Sequence, residues 1–285
     1  MRKREILNSP KFKEIKRKKR QVFKTRFLFF FILFILLFGI SAFASHWDKI
    51  NVKEIEISGV VELDKTPILE IVEEKISGEY LFIFPKTNIF IFPKKEIKEK
   101  IENTFHRFKN IDIKASKEGL LSVSLEEREP EYIWCGNTLL EAENIKECYF
   151  VDKVGYIYDK APYFSGDVYF KLFGKISEDS NVIGRYFAGE YLEKINIFKN
   201  ALESIEMDPV SLFVLGDGDM EIYLSSTGIN RPKIIFKENA DVIKLSENLQ
   251  SALSIEPLKA DFKNKYESLL YLDLRFDNKV YYKFK

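Results

Sequence analysis

The longest apolar run in the chain is FLFFFILFILLFGISAFAS, Phe27 to Ser45, about 19 residues without a charge. That is close to the length an α-helix needs to cross a hydrocarbon core. No second run of this length follows, so the pattern predicts one crossing. Downstream the period shortens. In VKEIEIS, Ile55 and Ile57 share one face of a strand, and Gly59 marks a break. Thr66 and Pro67 suit an N-cap and first helical position, and Ile68, Leu69, Val72 and Ile76 then form a stripe ending near Gly78. A second helix is expected from Pro93, with Ile97, Ile101 and Phe105 every four residues and Lys and Glu outside. Between the helices lies LFIFPKTNIFIF, rich in apolar residues. IDIKA and LLSVSLE close the segment as strands, the latter alternating Leu121, Val123 and Leu125 with Ser122, Ser124 and Glu126. The order strand, helix, helix, strand, strand predicts two helices on one face of a three-stranded sheet.

Beyond Pro130 the pattern is mostly strands. YIWC and ECYFVDKVGYIYD alternate as strands, and GEYLEKINIFKNALESI places Tyr191, Ile195, Phe198, Leu202 and Ile205 at helical spacing. SLFVLGDGDMEIYLSS is expected to be a hairpin and Asp241 to Leu253 a helix, while Lys160 to Gly189 yields no assignment. The final LYLDLRFDNKVYYKFK predicts strand, turn and strand. Here register decides which side chains are buried, because a slip of one residue turns every side chain over. A two-residue loop at Asp277-Asn278 would set Lys279 against Phe276 and Lys283 against Leu272, burying charge. A three-residue loop, Asp277-Asn278-Lys279, is therefore expected. It pairs Phe276 with Val280, Leu274 with Tyr282 and Leu272 with Phe284, sets Asp273 opposite Lys283, and puts Lys279 in a left-handed conformation. In this reading Val280 to Lys285 forms an edge strand able to accept an added strand, or else an edge guarded by Lys279, Lys283 and Lys285.

Charge adds a direction. The formal net charge is +1, yet Met1 to Arg26 holds about twelve Lys and Arg against two Glu, which leaves the remainder near -9. By the positive-inside rule the basic flank stays in the cytoplasm and everything after His46 crosses the membrane. Ala42-Phe43-Ala44 resembles a signal-peptidase site, but both the basic region and the apolar run exceed those of a signal peptide, so an uncleaved anchor is expected. The position of the basic run favours topology and anionic lipid over nucleic acid. Cys135 and Cys148 fall on the exported side, where a bridge or two separate thiols are both allowed.

Catalytic and metal chemistry finds no purchase in the sequence. His46 and His106 are the only histidines and both are expected at the surface, away from any nucleophile motif. GDGD at Gly216 to Asp219 lacks the ligand spacing of a calcium loop and is read as a hairpin turn. No phosphate-cradling loop or paired-carboxylate motif is present, so no enzyme activity and no cofactor are expected.

The β-α-α-β-β order directly after a single anchor, the ISGVVEL opening, the EEREPEYIW closing, VDKVGYIYD and the DLRF tetrapeptide together resemble the bacterial cell-division family FtsQ, called DivIB in Gram-positive bacteria. The resemblance covers the whole chain and lies in the order of parts. It implies an α+β protein with a basic cytoplasmic tail over 1–26, a transmembrane helix over 27–45, a POTRA domain over 46–128 and a mostly antiparallel β domain with helices over 129–285. It further implies a non-enzymatic divisome scaffold at the division septum, single-pass in the cytoplasmic membrane, that regulates septal peptidoglycan synthesis. FtsB- and FtsL-like bitopic proteins would bind at the C-terminal strand, through Phe276, Asn278 and Lys279 and through Val280, Tyr281, Tyr282, Lys283 and Phe284. Other divisome proteins would bind the POTRA domain, and no nucleic acid is expected. The sequence stops at Lys285, so contacts made through the longer tail of many members are not expected. A POTRA-containing component of polypeptide transport or outer-membrane protein assembly is the alternative.

Overall fold

The computed structural model describes residues 10–61, 63–137, 147–176, 181–189, 191–227 and 231–285. Helix α1 runs unbroken over Pro10–Ser45, and its portion Lys16–Ser45 is long and apolar enough to cross a membrane. Its apolar window is uncovered by protein, a surface that is favourable against hydrocarbon and not against water. The Ala42-Phe43-Ala44 triplet continues the same helix.

The chain forms two compact units, one built on the described residues up to Glu102 with Asn110–Leu125, the other on Asn103–Lys109 with Glu126–Lys285. In the first unit, α1 is followed by β1 (Glu54–Ser58), α2 (Thr66–Ile76), the short pair β2 (Glu79–Tyr80) and β3 (Phe84–Pro85), α3 (Lys94–Thr104), β4 (Phe108–Ala115) and β5 (Leu120–Glu127). The three-stranded sheet has the order β1-β5-β4, with β1 parallel to β5 and Ile55 opposite Leu121. Alternation buries Ile111 and Ile113 on β4 and Leu121, Val123 and Leu125 on β5. Ile68, Ile71, Val72 and Ile76 of α2 and Ile97 and Ile101 of α3 are buried as well. Leu69, expected in the stripe, is only partly buried and Ile71 takes the place. The expected cap also moves: Thr66 is already helical, and the Asp64 carboxylate accepts from its backbone N–H and hydroxyl at 3.0 and 2.9 Å. Gly59 has φ +81°, and a Cβ there would lie 1.8 Å from the Leu125 carbonyl oxygen, so only glycine lets β1 leave beside β5.

The second unit holds a nine-stranded sheet. Its strands are β6 (Tyr132–Trp134), β7 (Cys148–Val151), β8 (Ile157–Ala161), β9 (Phe170–Gly174), β10 (Pro209–Val214), β11 (Asp219–Leu224), β12 (Lys233–Lys237), β13 (Leu269–Phe276) and β14 (Lys279–Phe284). The spatial order is β14-β13-β12-β11-β10-β9-β6-β7-β8, mostly antiparallel, with β12/β13, β10/β9 and β6/β9 parallel. Helix α4 (Tyr191–Ser204) connects β9 to β10, and α5 (Val242–Leu253) with α6 (Leu258–Lys265) connects β12 to β13. Parallel neighbours cannot be joined by a tight turn, which is why helices sit at those two connections. Leu192, Ile195, Phe198 and Leu202 of α4 and Leu245 and Leu249 of α5 share one core with Leu172, Leu212, Ile222, Ile234 and Leu272 of the strands. Asp241 caps α5, accepting from the backbone of Ile243 and Lys244. Strand β9 lies within the stretch that the sequence pattern left unassigned. Strand β12 and helix α6 also escaped it, α6 because it buries only Leu258 and shows no stripe.

Cys135 and Cys148 are bridged. The antiparallel register of β6 and β7 places Trp134 opposite Tyr149, so the next pair out is the two cysteines, with Cα atoms 4.3 Å apart. The Cys135 N–H turns the other way, to the Leu172 carbonyl of β9. The pair therefore faces across β6/β7 without a ladder bond, the closer of the two antiparallel pairings.

Candidate functional site

The terminal hairpin is built on a tetrapeptide, Asp273-Leu274-Arg275-Phe276. Leu274 is buried, while Asp273 and Arg275 turn to the opposite side of β13. The Asp273 carboxylate accepts from the Arg275 backbone N–H at 3.1 Å and from its guanidinium Nε and Nη2 at 2.9 and 2.6 Å. Arg275 Nη1 reaches Asp219 of β11 at 2.7 Å, and Lys237 of β12 stands 2.5 Å from the same carboxylate. The ammonium of Lys237, joined by Arg275, holds the Asp219 carboxyl below its ordinary range. Burial pushes Asp273 up, but the bonds from Arg275 outweigh it and its net shift is also downward.

This clip sits at an irregularity that corrects the expected register. The loop is two residues long, Asp277-Asn278, and Phe276 does face Lys279. Between Phe276 and Asp273, however, β13 advances three residues while β14 advances two, so β13 carries one extra residue. Tyr282 then meets Leu272, Tyr281 meets Asp273 and Lys283 meets Tyr271, with Phe284 opposite Leu269. The three-residue loop and its pairings are thus replaced by a shorter loop with a bulge. The bulge removes the objection to the short loop, because it keeps Lys283 away from Leu272. Asn278, at φ 57°, takes the left-handed position expected of Lys279, and asparagine tolerates it better. The faces come out as expected despite the new register: Val280, Tyr282 and Phe284 pack against the core, and Lys279, Tyr281 and Lys283 are exposed.

Strand β14 is the outermost strand at one end of the nine-stranded sheet. The Lys285 N–H donates inward to the Ser268 carbonyl at 2.9 Å. Because N–H and C=O of a strand residue point to one side and alternate along it, Lys283 and Tyr281 also face β13, and Val280, Tyr282 and Phe284 turn their backbone groups outward. Phe276 and Tyr281, 50% and 49% exposed, stand edge to face with ring centroids 5.1 Å apart beside this edge. The structure thus brings together every candidate residue from Phe276 to Phe284 in one hairpin. Their chemistry is that of a backbone template with aromatic contacts.

A second polar group, not anticipated from sequence, lies where residues 103–109 and 126–128 join the second unit. His106, expected at the surface, is half-buried with Nδ1 2.9 Å from the Tyr156 hydroxyl. Arg128 lies 4.1 Å over the Tyr156 ring, binds Asp152 at 2.5 Å and donates to the His106 carbonyl at 3.2 Å. Asp152 also accepts from the Val154 and Tyr156 N–H groups and so shapes the β7–β8 turn, with Gly155 at φ +87°. A cleft of about 230 Å³ runs beside it, lined by Glu129, Glu131 and Lys153 among others. The GDGD segment forms the β10–β11 turn, and its last residue, Asp219, belongs to the ion-pair cluster. Among the described residues no cluster of His, Cys, Asp and Glu is arranged to hold a metal ion.

Compared with known proteins, the chain matches no family model and no curated protein. Its functional reading therefore rests on the geometry above and on the order of its parts.

Proposed function

We propose that this chain is a membrane-anchored divisome scaffold of the FtsQ/DivIB kind, non-enzymatic, whose C-terminal edge strand binds FtsB- and FtsL-like bitopic partners by strand addition. The observation that carries the reading is β14, outermost in its sheet, with the backbone groups of Val280, Tyr282 and Phe284 turned outward. An extended partner segment would take those hydrogen bonds and rest an apolar side chain against Phe276 and Tyr281. The basic end of α1 would lie in the cytoplasm and both folded units outside it. Once the short β2/β3 pair is set aside, the β-α-α-β-β order of the first unit supports the assignment, and in this reading the unit is a POTRA domain serving other divisome contacts.

The test is capture of purified FtsB-like and FtsL-like proteins by the full chain and by a variant lacking Tyr281–Lys285, with folding monitored in both. A folded, anchored variant that captures FtsB at unchanged strength refutes the docking strand. Tyr281→Ala serves as a milder companion, since its side chain is half-exposed and its loss removes the aromatic contact with Phe276 while leaving the backbone ladder in place. Capture of nascent outer-membrane proteins in place of bitopic partners would favour the transport alternative.

A further inference from the structure

The segment LFIFPKTNIFIF has no part in the function proposed above, yet its placement is unusual. Leu81 and Phe82 are 76% and 96% exposed and adopt φ of 53° and 58°, a left-handed conformation that bulky residues rarely occupy. Two adjacent large apolar side chains are thus held outward in an unfavourable backbone state. Phe90 and Ile91 are exposed as well. In water such a surface lacks a reason.

Its neighbours supply one. The Phe84 ring meets Phe38 of α1 edge to face at 5.4 Å. Phe38 lies seven residues before Ser45, about 10 Å from the helix end at 1.5 Å per residue, inside the apolar run. The segment is also fastened to that end. Asn88, buried, donates to the Ser45 hydroxyl and carbonyl at 3.0 and 3.3 Å, and Asn51 donates to the Ser45 carbonyl at 2.9 Å while accepting from Thr87. The last carbonyl of α1 is thereby satisfied by the same clamp that fixes the loop. Residues 81–85 and 88–93 carry no charge; of the charged side chains that flank them, Glu79 lies beside His46, Lys86 lies over the Tyr80 ring and Lys94 pairs with Asp112. Trp47, exposed, stands just past the helix end, where indole rings favour a membrane interface.

We propose that this loop is a second, non-spanning membrane contact. Leu81, Phe82 and Phe84 enter the leaflet beside α1, Phe90 and Ile91 lie at its surface, and the lipid fixes the first unit against the bilayer. The proposal rests on α1 spanning the membrane. The occupant is lipid because the loop touches α1 at a depth where the span itself is surrounded by hydrocarbon.

The full chain in nanodiscs of phosphatidylcholine and phosphatidylglycerol, carrying a nitroxide at Phe82→Cys or at Phe34→Cys, provides the test. Cys135 and Cys148 are bridged and do not take the label. Collision with oxygen, which concentrates in lipid, is compared with collision with a water-soluble nickel chelate, and free label in buffer gives the aqueous value. The expected result is a ratio several-fold above the aqueous value at both positions. A lipid reading at Phe34 with an aqueous one at Phe82 overturns the loop contact and leaves the span standing. Aqueous readings at both overturn both. A Phe82 label shielded from both reagents means that protein covers the loop, which also overturns the assignment to lipid.

Discussion

At the scale of single residues, the hairpin depends on a carboxylate that serves backbone and side chain together. Asp273 satisfies the N–H of the residue made extra by the bulge and holds the guanidinium that reaches Asp219. Removing Arg275 leaves two buried carboxylates short of a partner. A fully buried pair loses roughly 3–5 kcal/mol when one member is removed. The Arg275 side chain is 32% exposed, so Arg275→Ala should cost less, about 2 kcal/mol, read from the urea midpoint. The same cluster sets a pH dependence. Asp219 and Asp273 both titrate below the ordinary value in the folded state, so their contribution is complete above the unfolded value near 3.9 and is lost as pH falls through the lower folded values. Stability should therefore drop below about pH 4, and Asp219→Asn with Asp273→Asn should flatten that limb while lowering stability at neutral pH. The disulfide closes a loop of about 14 residues, so reduction should remove roughly 3 kcal/mol, checked by melting with and without reductant. Thiol labelling of the unreduced, unfolded protein should find no free thiol.

Elements show how backbone direction separates fold from docking. The Tyr281 N–H faces β13 and belongs to the ladder, whereas the Val280 N–H faces outward, by the alternation fixed at Lys285. Tyr281→Pro should therefore destabilise the hairpin by about 1 kcal/mol or more beyond Val280→Pro. Val280→Pro should melt closer to the parent and lose partner capture, since the missing donor is the one an added strand needs. Equal melting of the two variants would show that the direction of β14 has been misjudged. The helices divide by what their sequences advertise. Helices α2, α3, α4 and α5 carry stripes that bury against sheet or one another; the stripes of α2, α3 and α4 were legible in the sequence apart from Leu69, whose place Ile71 takes, and α5 was legible as a range. Helix α6 buries one leucine and exists as part of the crossover to β13, which no periodicity announces.

For the molecule as a whole, α1 is the element long and apolar enough to cross a membrane among the described residues. Its uncovered apolar surface predicts that the full chain stays with membranes through an alkaline carbonate wash and leaves only with detergent. Removing residues 1–45 should release the remainder to the soluble fraction, with at most the weak, reversible binding that a few interfacial aromatic side chains support. Release of the full chain by carbonate would contradict the span. The division into units rests on contacts between residues far apart in the chain. Residues 103–109 and 126–128 go with the second unit, where Arg107 binds Asp159 and Arg128 takes up Asp152 and the His106 carbonyl. Those partners lie 52 and 24 residues apart for the two ion pairs, beyond what local pattern conveys.

What the sequence alone determined is whatever depends on neighbours along the chain: the apolar span, the helical stripes, the alternating strands, the turn at Gly216 to Gly218 and the burial faces of the last strand. Hydrophobic period is a local property, and it survives any register that keeps the same face inward. Tertiary structure decided the rest. It set the nine-strand order with its parallel pairs, the opposition of Cys135 and Cys148, and the bulge at Asp273 to Phe276. It also placed the exposed loop at Leu81 and Phe82, through Phe84, beside Phe38 of helix α1. Each of these is fixed by a partner distant in sequence. The hairpin shows the reason most plainly: two registers bury the same side chains, and the choice between them falls to an aspartate on β11, itself held by a lysine of β12, that grips the arginine of the bulge.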